Sequence, residues 1–388
     1  MEPASVQSIT SLKILSKVLF DAPRTGRGNR IALHSDRRGL LRGRRERRPS
    51  SSPRGKIAAY LALKDKPDIC ARGGNGPNAG HTVLHQGTTY SLRLVPSGFV
   101  NKTSQLLIGS GVLVEPNILL NEIKETQAEG RIRVDKQCAI IEERHKEQER
   151  NSDYLSKKLG STKSGVGACN AERALRMVKM AREVPELRPY ITDVAGEVQQ
   201  ALEGKGNVII EGTQGTFLSL YHGTYPYVSS KDFTASQACA DVGVGPTQVD
   251  DVVVIFKAFV TRVGEGPLDG QLDRNETVRR GWMERGTVTG RERRAAPFDF
   301  KLAHRAVQLN GATQIALTKL DVLFPGCKGS REINDLSSEA RSFVSRVEKE
   351  TGVQVTLIGT GPGDEDIVDL RRGMGGPKLR PTLLAKRK

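Results

Sequence analysis

The sequence lacks the features of several protein classes. Its five cysteines are odd in number, widely spaced and without a CxxC pair, which argues against a disulfide framework or a cysteine zinc site and predicts a cytoplasmic protein. No apolar run reaches the ~18 residues of a transmembrane helix, and the first 21 residues lack the pattern of a secretory signal, so no membrane partner is expected. There is no GxxxxGK[ST] run, which disfavours an ordinary P-loop GTPase.

Positive charge is concentrated in one segment. The chain carries a formal net charge of +16, and residues 22–56 hold +10 of it, as eleven arginines and one lysine against two carboxylates. This Arg-, Gly-, Ser- and Pro-rich stretch has no apolar periodicity, which predicts a disordered arm. Arginines without interleaved aromatics provide electrostatics but no base stacking. A solvated extension is therefore favoured over a nucleic-acid-binding arm.

The rest of the chain alternates helical and strand patterns. The runs NVIIEG (207–212), DVVVIFKAFV (251–260), TQIALT (313–318) and VQVTLI (353–358) are rich in β-branched residues and do not alternate with polar ones. Amphipathic segments separate them, and a charged helix is predicted over 142–159. Non-alternating strands are buried on both faces. The predicted fold class is therefore α/β, with a mainly parallel central sheet and helices on both faces.

Several of these strands lead into polar, glycine-bearing loops, among them GGNGPNAGHT (73–82) and TKLD (318–321). Because ligands bind at the carboxyl ends of strands in open α/β sheets, one large polar site is expected there. His81 could serve as a general acid beside a backbone-bound phosphate, or could merely cap a helix or face water. Asp321 could accept two hydrogen bonds from guanine, or could be a helix N-cap.

A third loop, GTVTGRERR (286–294), places three arginines after flexible Gly and Thr residues. Guanidinium groups suit carboxylates and phosphates, so the loop could close on an anionic substrate. The alternative is a solvated basic loop.

Taken in order, GPNAGHT, LRLVPSGFVN, EGTQGTFLSLYHGTYPYVSS, KAFVTRVGEGP, GTVTGRERR and LTKLDVL strongly resemble the adenylosuccinate synthetase family, in particular its shorter members. The resemblance runs from about residue 56 to the C-terminus. It implies a P-loop-NTPase-like fold and two parts: an atypical, disordered segment over 1–55 and a catalytic domain over 56–388. It also implies an enzyme of AMP synthesis that joins IMP and L-aspartate, with GTP as co-substrate and Mg2+ as cofactor. In this family the 6-oxygen of IMP is phosphorylated, and the aspartate amine then displaces the phosphate.

The resemblance also assigns roles to individual residues. The catalytic residues would be His81, as the acid, and Gln214, near the reacting base. IMP would be bound by Asn78, Ala79, Gly80, His81, Thr162, Arg176, Gln214, Ser229, Val263 and Arg291. The aspartate loop would comprise Thr287, Val288, Thr289, Gly290, Arg291, Glu292 and Arg293. GTP would be bound by Gly80, His81, Thr82, Arg293, Lys319, Leu320, Asp321, Gly359, Thr360 and Gly361. The Gly80 carbonyl would bind Mg2+, and Arg176 would reach the IMP of a neighbouring subunit, so a homodimer is implied.

The N-terminus departs from the family. Its GDEGKGK phosphate loop falls on SSSPRGK (50–56), so Ser51 occupies the position of the aspartate that acts as general base and Mg2+ ligand. A serine hydroxyl is neither a competent base near neutral pH nor a strong Mg2+ ligand. We therefore expect little or no synthetase activity from this chain. The alternative function is a non-catalytic IMP- or GTP-binding paralogue, or a nucleic-acid-binding protein with an Arg-rich arm.

The apolar strand that precedes this loop in the family is also missing. Either residues 1–54 are a mis-assigned start, a wrong exon or a shifted reading frame, which the intact later motifs favour, or the chain is a paralogue that has lost its phosphate loop. The segment SITSLKILSKVLF (8–20) is apolar enough for a helix or an edge strand, and the sequence leaves both open.

Overall fold

The computed structural model describes the strand Leu12–Lys17, as backbone, and residues 52–371. Within these residues a ten-stranded sheet forms the centre of the molecule, in the order β16-β15-β14-β11-β1-β10-β2-β5-β7-β9. Neighbouring strands are parallel except for the antiparallel edge strand β16. Three two-stranded sheets, β3-β4, β6-β8 and β12-β13, lie beside it.

The strands have the following bounds: β1 Leu12–Lys17, β2 Ile69–Arg72, β3 His81–His85, β4 Thr88–Leu92, β5 Gln105–Ile108, β6 Leu113–Val114, β7 Ile132–Asp135, β8 Ala139–Ile140, β9 Ile191–Thr192, β10 Val208–Glu211, β11 Asp251–Lys257, β12 Val260–Arg262, β13 Arg294–Ala296, β14 Gln314–Thr318, β15 Val355–Gly359 and β16 Ile367–Asp369. The helices are α1 Pro53–Asp65, α2 Pro116–Thr126, α3 Glu143–Asn151, α4 Val166–Leu175, α5 Val194–Glu203, α6 Ala235–Val242, α7 Arg274–Arg279, α8 Phe300–Asn310, α9 Leu320–Leu323 and α10 Ser338–Thr351.

Both faces of the sheet are buried. In β11, Val254 and Phe256 pack into one core together with side chains of α8 and α10. The alternate residues Val253 and Ile255 pack on the opposite face against Leu61 of α1. Burial on both faces explains why these strands show continuous apolar runs. The predicted α/β class with helices on both faces is confirmed.

The strand β1 is the main departure from the sequence prediction. Leu12–Lys17 pairs in parallel with β10 on one side and β11 on the other, with Ile14 opposite Ile210 and Val252. It is therefore a central strand, neither a helix nor an edge strand. Apolar strand composition alone does not show where in a sheet a strand inserts. These six residues are therefore part of the central sheet.

Helix α1 begins before the predicted domain boundary. Ser52 is its N-cap, since the Ser52 hydroxyl accepts a hydrogen bond from the Gly55 N–H at 3.2 Å, and Pro53 occupies the first turn. The predicted disordered segment over 1–55 therefore does not hold for residues 12–17 or 53–55. The rest of the predicted arm, residues 22–51, lies outside the described residues.

The helix predicted over 142–159 is divided. Helix α3 ends at Asn151, Ser152 has an extended backbone, and a short π-helical turn covers Tyr154–Lys158. The Ser152 hydroxyl accepts a hydrogen bond from the Leu155 N–H at 3.2 Å, within the turn that follows α3. Serine competes in this way with the helical backbone, which the charge pattern did not reveal. Within the described residues, no helix has the length and apolar character needed to cross a membrane.

Candidate active site

A cavity of about 480 Å³ lies at the carboxyl edge of the sheet. The glycine-rich loop after β2, the loop after β10 and the loop before β13 all contribute to its wall. Parallel strands place these loops on one edge, as the sequence predicted. Among the residues assigned from the resemblance, those lining the cavity are Asn78, Ala79, Gly80, Thr162, Gln214, Ser229, Val263, Thr287, Val288, Thr289, Arg291 and Arg293.

The first part of the glycine-rich loop is held by hydrogen bonds within the protein. The Gly73, Gly74 and Asn75 N–H groups donate to Glu211 O (3.0 Å), Asp241 Oδ2 (2.6 Å) and Thr213 Oγ1 (2.9 Å). The residues expected to lie near a phosphate, 78–81, come later in the loop. Gly74 has a φ of +104°, and a Cβ there would lie 2.1 Å from Thr213 Oγ1.

His81 begins β3 and is completely buried, so it neither caps a helix nor faces water. Its Nδ1 contacts the Glu211 carboxylate. Glu211 also accepts hydrogen bonds from the Ser97 N–H (2.7 Å) and the Ser97 hydroxyl (2.8 Å). The Arg72 guanidinium lies 2.8 Å from His81 Nδ1 and 3.7 Å from the carboxylate. The imidazole is thus fixed from one side by a buried charged network.

This network determines the charge on His81. Burial, and next the Arg72 charge, lower the pKa of His81 to about 3. Burial alone would raise the pKa of Glu211, but His81 and Arg72 outweigh it and lower that pKa to about 2. We therefore assign an ionised Glu211 and a neutral His81 that donates its Nδ1 proton. The other ring nitrogen, Nε2, has no hydrogen-bond partner in the described part of the chain. An anion beside Nε2 would raise its pKa and let it hold a proton.

Other buried polar atoms at the site are also without partners. Among the residues described, Asn78 Oδ1, Gln214 Oε1 and Arg54 Nε make no hydrogen bond, and all three residues line the cavity. Gln214 has a left-handed backbone, with φ +46°. Leaving such groups unpaired costs about 1–3 kcal/mol each, so unpaired polar atoms around one cavity indicate a site for a polar ligand.

The loop before β13, which contains the predicted aspartate loop (residues 287–293), is a small closed hairpin. The Gly286 N–H donates to Arg291 O and the Gly290 N–H to Gly286 O, both at 2.8 Å. The Arg291 guanidinium lines the cavity and donates to Gly160 O at 2.9 Å. The Thr287 hydroxyl lies 3.1 Å from that of Thr82. The alternative of a fully solvated basic loop does not fit these contacts.

Two residues assigned to this loop's binding face lie elsewhere. The Glu292 carboxylate pairs with Arg274 and Arg285 on the outer side of the hairpin, and neither Glu292 nor Gly290 lines the cavity. A carboxylate facing an anionic substrate would be repelled, which gives this outward pairing a physical reason.

A second corner forms where β14 and β15 end. Lys319 takes the N-cap position of α9 with φ +64°, so Asp321 lies in the first turn and is not the N-cap. Asp321 Oδ1 is buried without a partner within the described residues, and burial raises the pKa of this carboxyl. Gly359 packs against Thr318, which places the loop Gly359–Gly361 beside this corner.

The corner also contains a buried lysine from α1. Lys56 Nζ donates to Gly361 O (2.7 Å) and Asp366 O (2.6 Å), and burial lowers its pKa to about 8. The Thr360 hydroxyl donates to Ser330 O at 2.7 Å. The structure thus brings together the residues assigned to guanine, although they lie outside the 480 Å³ cavity.

Two residues with hydroxyl groups, Thr162 and Ser229, also line the cavity. The Thr162 hydroxyl lies 2.8 Å from that of Ser164, and the Ser229 hydroxyl accepts a hydrogen bond from Asn75 Nδ2 at 3.0 Å. Both Thr162 and Ser229 line the cavity, as assigned.

Arg176 lies away from the cavity of its own chain. It is exposed at the C-cap of α4 with a left-handed φ of +64°. Its neighbours Leu175 and Met177 are 66% and 71% exposed. A single chain therefore does not bring Arg176 to the other site residues.

The described residues do not form a divalent-cation site by themselves. They contain no group of three or more His, Cys, Asp or Glu side chains placed to hold a metal. Mg2+ prefers octahedral oxygen coordination that includes one or two carboxylates, whereas the assigned ligand, Gly80, offers one neutral carbonyl. The Ser51 position lies outside the described residues.

Four charged residues of the site were not predicted from the sequence. Arg54 lines the cavity, Glu211 fixes His81, and Lys257 and Glu284 form a buried pair at 2.5 Å. The sequence does place Glu211 and Lys257 at the ends of apolar strands, where a charged residue is conspicuous. Arg54 and Glu284 stand in charged, polar stretches and give no such signal.

Comparison with known proteins shows the family of the chain. The family model for adenylosuccinate synthetase matches residues 53–184 and 176–325. The curated adenylosuccinate synthetase of Methanocaldococcus jannaschii is 52% identical over 321 residues, covering 82% of this chain and 93% of that protein. The protein of the same name from Methanosphaera stadtmanae is 51% identical over 321 residues, covering 82% and 94%.

A solved structure shows the same fold. Fully ligated adenylosuccinate synthetase from Plasmodium falciparum aligns with a TM-score of 0.77 at 22% identity, covering 93% of this chain and 99% of that one. At this identity the likeness concerns the fold alone, while the family model and the archaeal relatives carry the assignment. The chain belongs to the adenylosuccinate synthetase family.

Proposed function

We propose that this chain is built to join IMP and L-aspartate at the expense of GTP, as a GTP-dependent carbon–nitrogen ligase. The observation that carries the proposal is the position of His81, buried beside Gly80 of the cavity wall and held by Glu211 with Nε2 unpartnered. Transfer of a phosphoryl group needs a hydrogen-bond donor positioned where negative charge develops. The transfer turns the purine oxygen, a poor leaving group, into one that an amine can displace.

The remaining roles follow from the cavity lining. Gln214, with its free amide oxygen, would lie against the purine, and the Thr162 and Ser229 hydroxyls would donate to the IMP phosphate. Arg291 would exchange Gly160 O for a carboxylate of aspartate, a stronger, charge-assisted partner. Asp321 and Lys319 would select guanine.

The Mg2+ requirement is part of the proposal through family membership. Gly80 is the ligand that the described residues supply, and the phosphates of the nucleotide would supply others. No step of the reaction is assigned to the ion here.

Ser51 makes a further expectation specific to this chain. The general base of the family is replaced by a hydroxyl, so IMP and GTP should bind while turnover is lost or nearly lost.

The test compares the full chain with a variant in which residues 50–54 are changed to restore GDEGK. Formation of adenylosuccinate from IMP, aspartate and GTP is measured by mass spectrometry. We expect product from the restored variant and almost none from the unaltered chain. Absence of product from both folded chains contradicts the proposed ligase.

We also propose a homodimer in which Arg176 completes the partner's site. Its exposed, left-handed position between Leu175 and Met177 supports this, since large exposed apolar side chains mark interfaces. Substituting Leu175→Glu should give monomers in light scattering. Arg176→Ala should leave the dimer intact and weaken IMP binding. A monomeric unaltered chain would contradict this proposal.

A further inference from the structure

Asn75 lies in the glycine-rich loop between Gly74 and Gly76 and is completely buried. It does not line the cavity, and its backbone is held on both sides. The Asn75 N–H donates to Thr213 Oγ1 at 2.9 Å, and the Asn75 carbonyl accepts a hydrogen bond from the Leu113 N–H at 2.6 Å. The side chain of Asn75 therefore starts from a fixed backbone position.

The side-chain amide of Asn75 connects α4 to the cavity wall. Its Oδ1 accepts a hydrogen bond from Asn170 Nδ2 at 3.0 Å, and its Nδ2 donates to Ser229 Oγ at 3.0 Å. Asn170 Nδ2 also donates to the Ser230 hydroxyl at 2.9 Å. An amide carries its donor and its acceptor on different atoms, so the contact with Asn170 determines which of them faces Ser229. These hydrogen bonds form a chain that runs in one direction, from α4 toward the cavity.

This direction determines what the Ser229 hydroxyl can offer a ligand. A serine hydroxyl has one proton to donate and two lone pairs. One lone pair of Ser229 accepts from Asn75, and the described part of the chain provides no acceptor for its proton. Ser229 lines the cavity, and its backbone is held because its N–H donates to Leu218 O at 2.8 Å. The proton is therefore left for a ligand in the cavity, and a charged acceptor is the partner that binds it best.

We infer that Asn75 is a positioning residue that sets the polarity of the Ser229 hydroxyl, with Asn170 fixing Asn75 in turn. Ser229 thereby presents a proton, rather than a lone pair, to the phosphate of IMP. In the reversed arrangement Ser229 would donate to Asn75 and aim a lone pair at the phosphate, which would weaken binding. This inference rests on the proposed function, since it takes IMP as the ligand and its phosphate as the group beside Ser229.

The test compares the binding of IMP with that of inosine, which lacks the phosphate, by titration calorimetry on the full chain. Ser229→Ala should weaken IMP binding about 10-fold or more, as expected for one hydrogen bond to a charged group, and leave inosine binding unchanged. Asn75→Asp keeps the shape of the side chain but replaces its donor by an acceptor. The Ser229 proton then turns to the new carboxylate, so the same phosphate-dependent loss is expected. A loss of packing in the loop would instead weaken both ligands.

The new carboxylate in Asn75→Asp also repels the phosphate directly. This repulsion is present in the Ser229→Ala background as well, where there is no proton to redirect. Asn75→Asp should therefore weaken IMP binding much more in the chain with Ser229 than in the Ser229→Ala chain. Equal effects in the two backgrounds overturn the inference.

A carboxylate at the buried position of Asn75 is costly to folding, so a second variant acts from α4. Asn170→Asp, at a partly exposed position, turns the donor that faces Asn75 into an acceptor. The Asn75 amide then rotates to donate to it, which places Asn75 Oδ1 toward Ser229 and reverses the chain of hydrogen bonds. We expect the same loss for IMP with inosine binding unchanged. Unaltered IMP binding in folded Asn170→Asp or Ser229→Ala overturns the inference.

The control is Asn101→Asp. Asn101 Nδ2 donates to Ser104 Oγ at 2.8 Å in the same way, and neither residue lines the cavity. This variant makes the same exchange of donor for acceptor and should leave the affinities for IMP and inosine unchanged. Equal weakening of IMP and inosine in folded Asn75→Asp overturns the inference. A folded, unaltered chain that binds neither IMP nor inosine contradicts the proposed function itself, and the inference with it.

Discussion

At the scale of single residues, the site depends on groups whose protonation is set by burial. His81 is kept neutral by its surroundings, and Glu211 is kept ionised by His81 and Arg72. A buried imidazole of this kind can respond to an arriving anion by taking a proton. Its free nitrogen then becomes a hydrogen-bond donor where negative charge develops.

These shifts predict how stability depends on pH. His81 has a pKa of about 3 when folded and 6.5 otherwise, so its contribution to stability is lost as pH falls from 6.5 toward 3. Glu211 has a pKa of about 2 in the folded chain and 4.5 in the unfolded chain. Its contribution to stability is therefore complete above pH 4.5 and is lost as pH falls toward 2. The His81 effect is at most about 1.4 kcal/mol per pH unit.

The measurement is the free energy of unfolding by denaturant from pH 7 to pH 5. The difference in free energy of unfolding between the unaltered chain and His81→Gln should shrink as pH falls. Only the unaltered chain has a histidine at this position, which gains a proton in the unfolded state and stays neutral in the folded state. The exposed His304→Gln serves as control, and its difference from the unaltered chain should stay level. A pH-independent difference for His81→Gln would contradict a neutral, buried imidazole.

Asp321 gives a second prediction at this scale. Its Oδ1 has no partner among the described residues, so Asp321→Asn should leave the melting temperature unchanged or slightly raised. Binding of GDP should weaken about 10- to 100-fold, since an amide cannot accept both guanine donors; two hydrogen bonds of ordinary strength account for that range. Titration calorimetry and thermal unfolding measure the two effects. The exposed Glu350→Gln on α10 is the control, and equal GDP affinity in Asp321→Asn would count against guanine recognition here.

Sequence motifs predicted some residues of the site but not the partners that determine their charge. His81, Gln214 and Asp321 stand in recognisable motifs, and the structure places each of them with an unpartnered polar atom. The partners that set their properties were not visible. Glu211 and Arg72 meet His81 only because β10, β2 and β3 converge, which is a consequence of tertiary structure. The orientation of Glu292, which pairs with Arg274 and Arg285, was also not visible, because loop sequence does not tell which face of a hairpin a side chain takes.

At the scale of elements, β1 completes the sheet. Without it, β10 and β11 would present unpaired edges in the middle of the molecule, at considerable cost. The strands predicted from β-branched runs were found because burial on both faces leaves a strong signal. The position of β1 was not predicted, since its pairing depends on two strands almost 200 or more residues away in sequence.

Disrupting β1 should therefore prevent folding. Ile14→Pro removes a ladder hydrogen bond in a central strand, a position where proline is essentially not found. We expect insoluble protein or a large loss of melting temperature. Ile14→Val preserves strand propensity and should behave like the unaltered chain. Normal stability of Ile14→Pro, or of a chain lacking residues 1–17, would show that β1 is not part of the sheet.

At the scale of the whole molecule, parallel strands place the cavity and the guanine corner on one edge of the sheet. Loops that are distant in sequence, after β2, β10, β11, β14 and β15, meet there because their strands run in the same direction. Glu284 forms ion pairs with Arg293 beside the cavity and with Lys319 at the guanine corner, so it lies between the two regions. This shared edge, rather than any single motif, is what suits the chain to a reaction with several substrates.

The most direct test of this account is a calorimetric titration of the full chain with IMP in the presence of GDP. Binding does not require the Ser51 position to act as a base, so it isolates the site from the chemistry. We predict saturable binding of one IMP per chain, weakened about 10-fold or more in Gln214→Ala, whose amide oxygen is free to bind the purine. A folded chain that takes up no IMP at millimolar concentration would contradict the central claim.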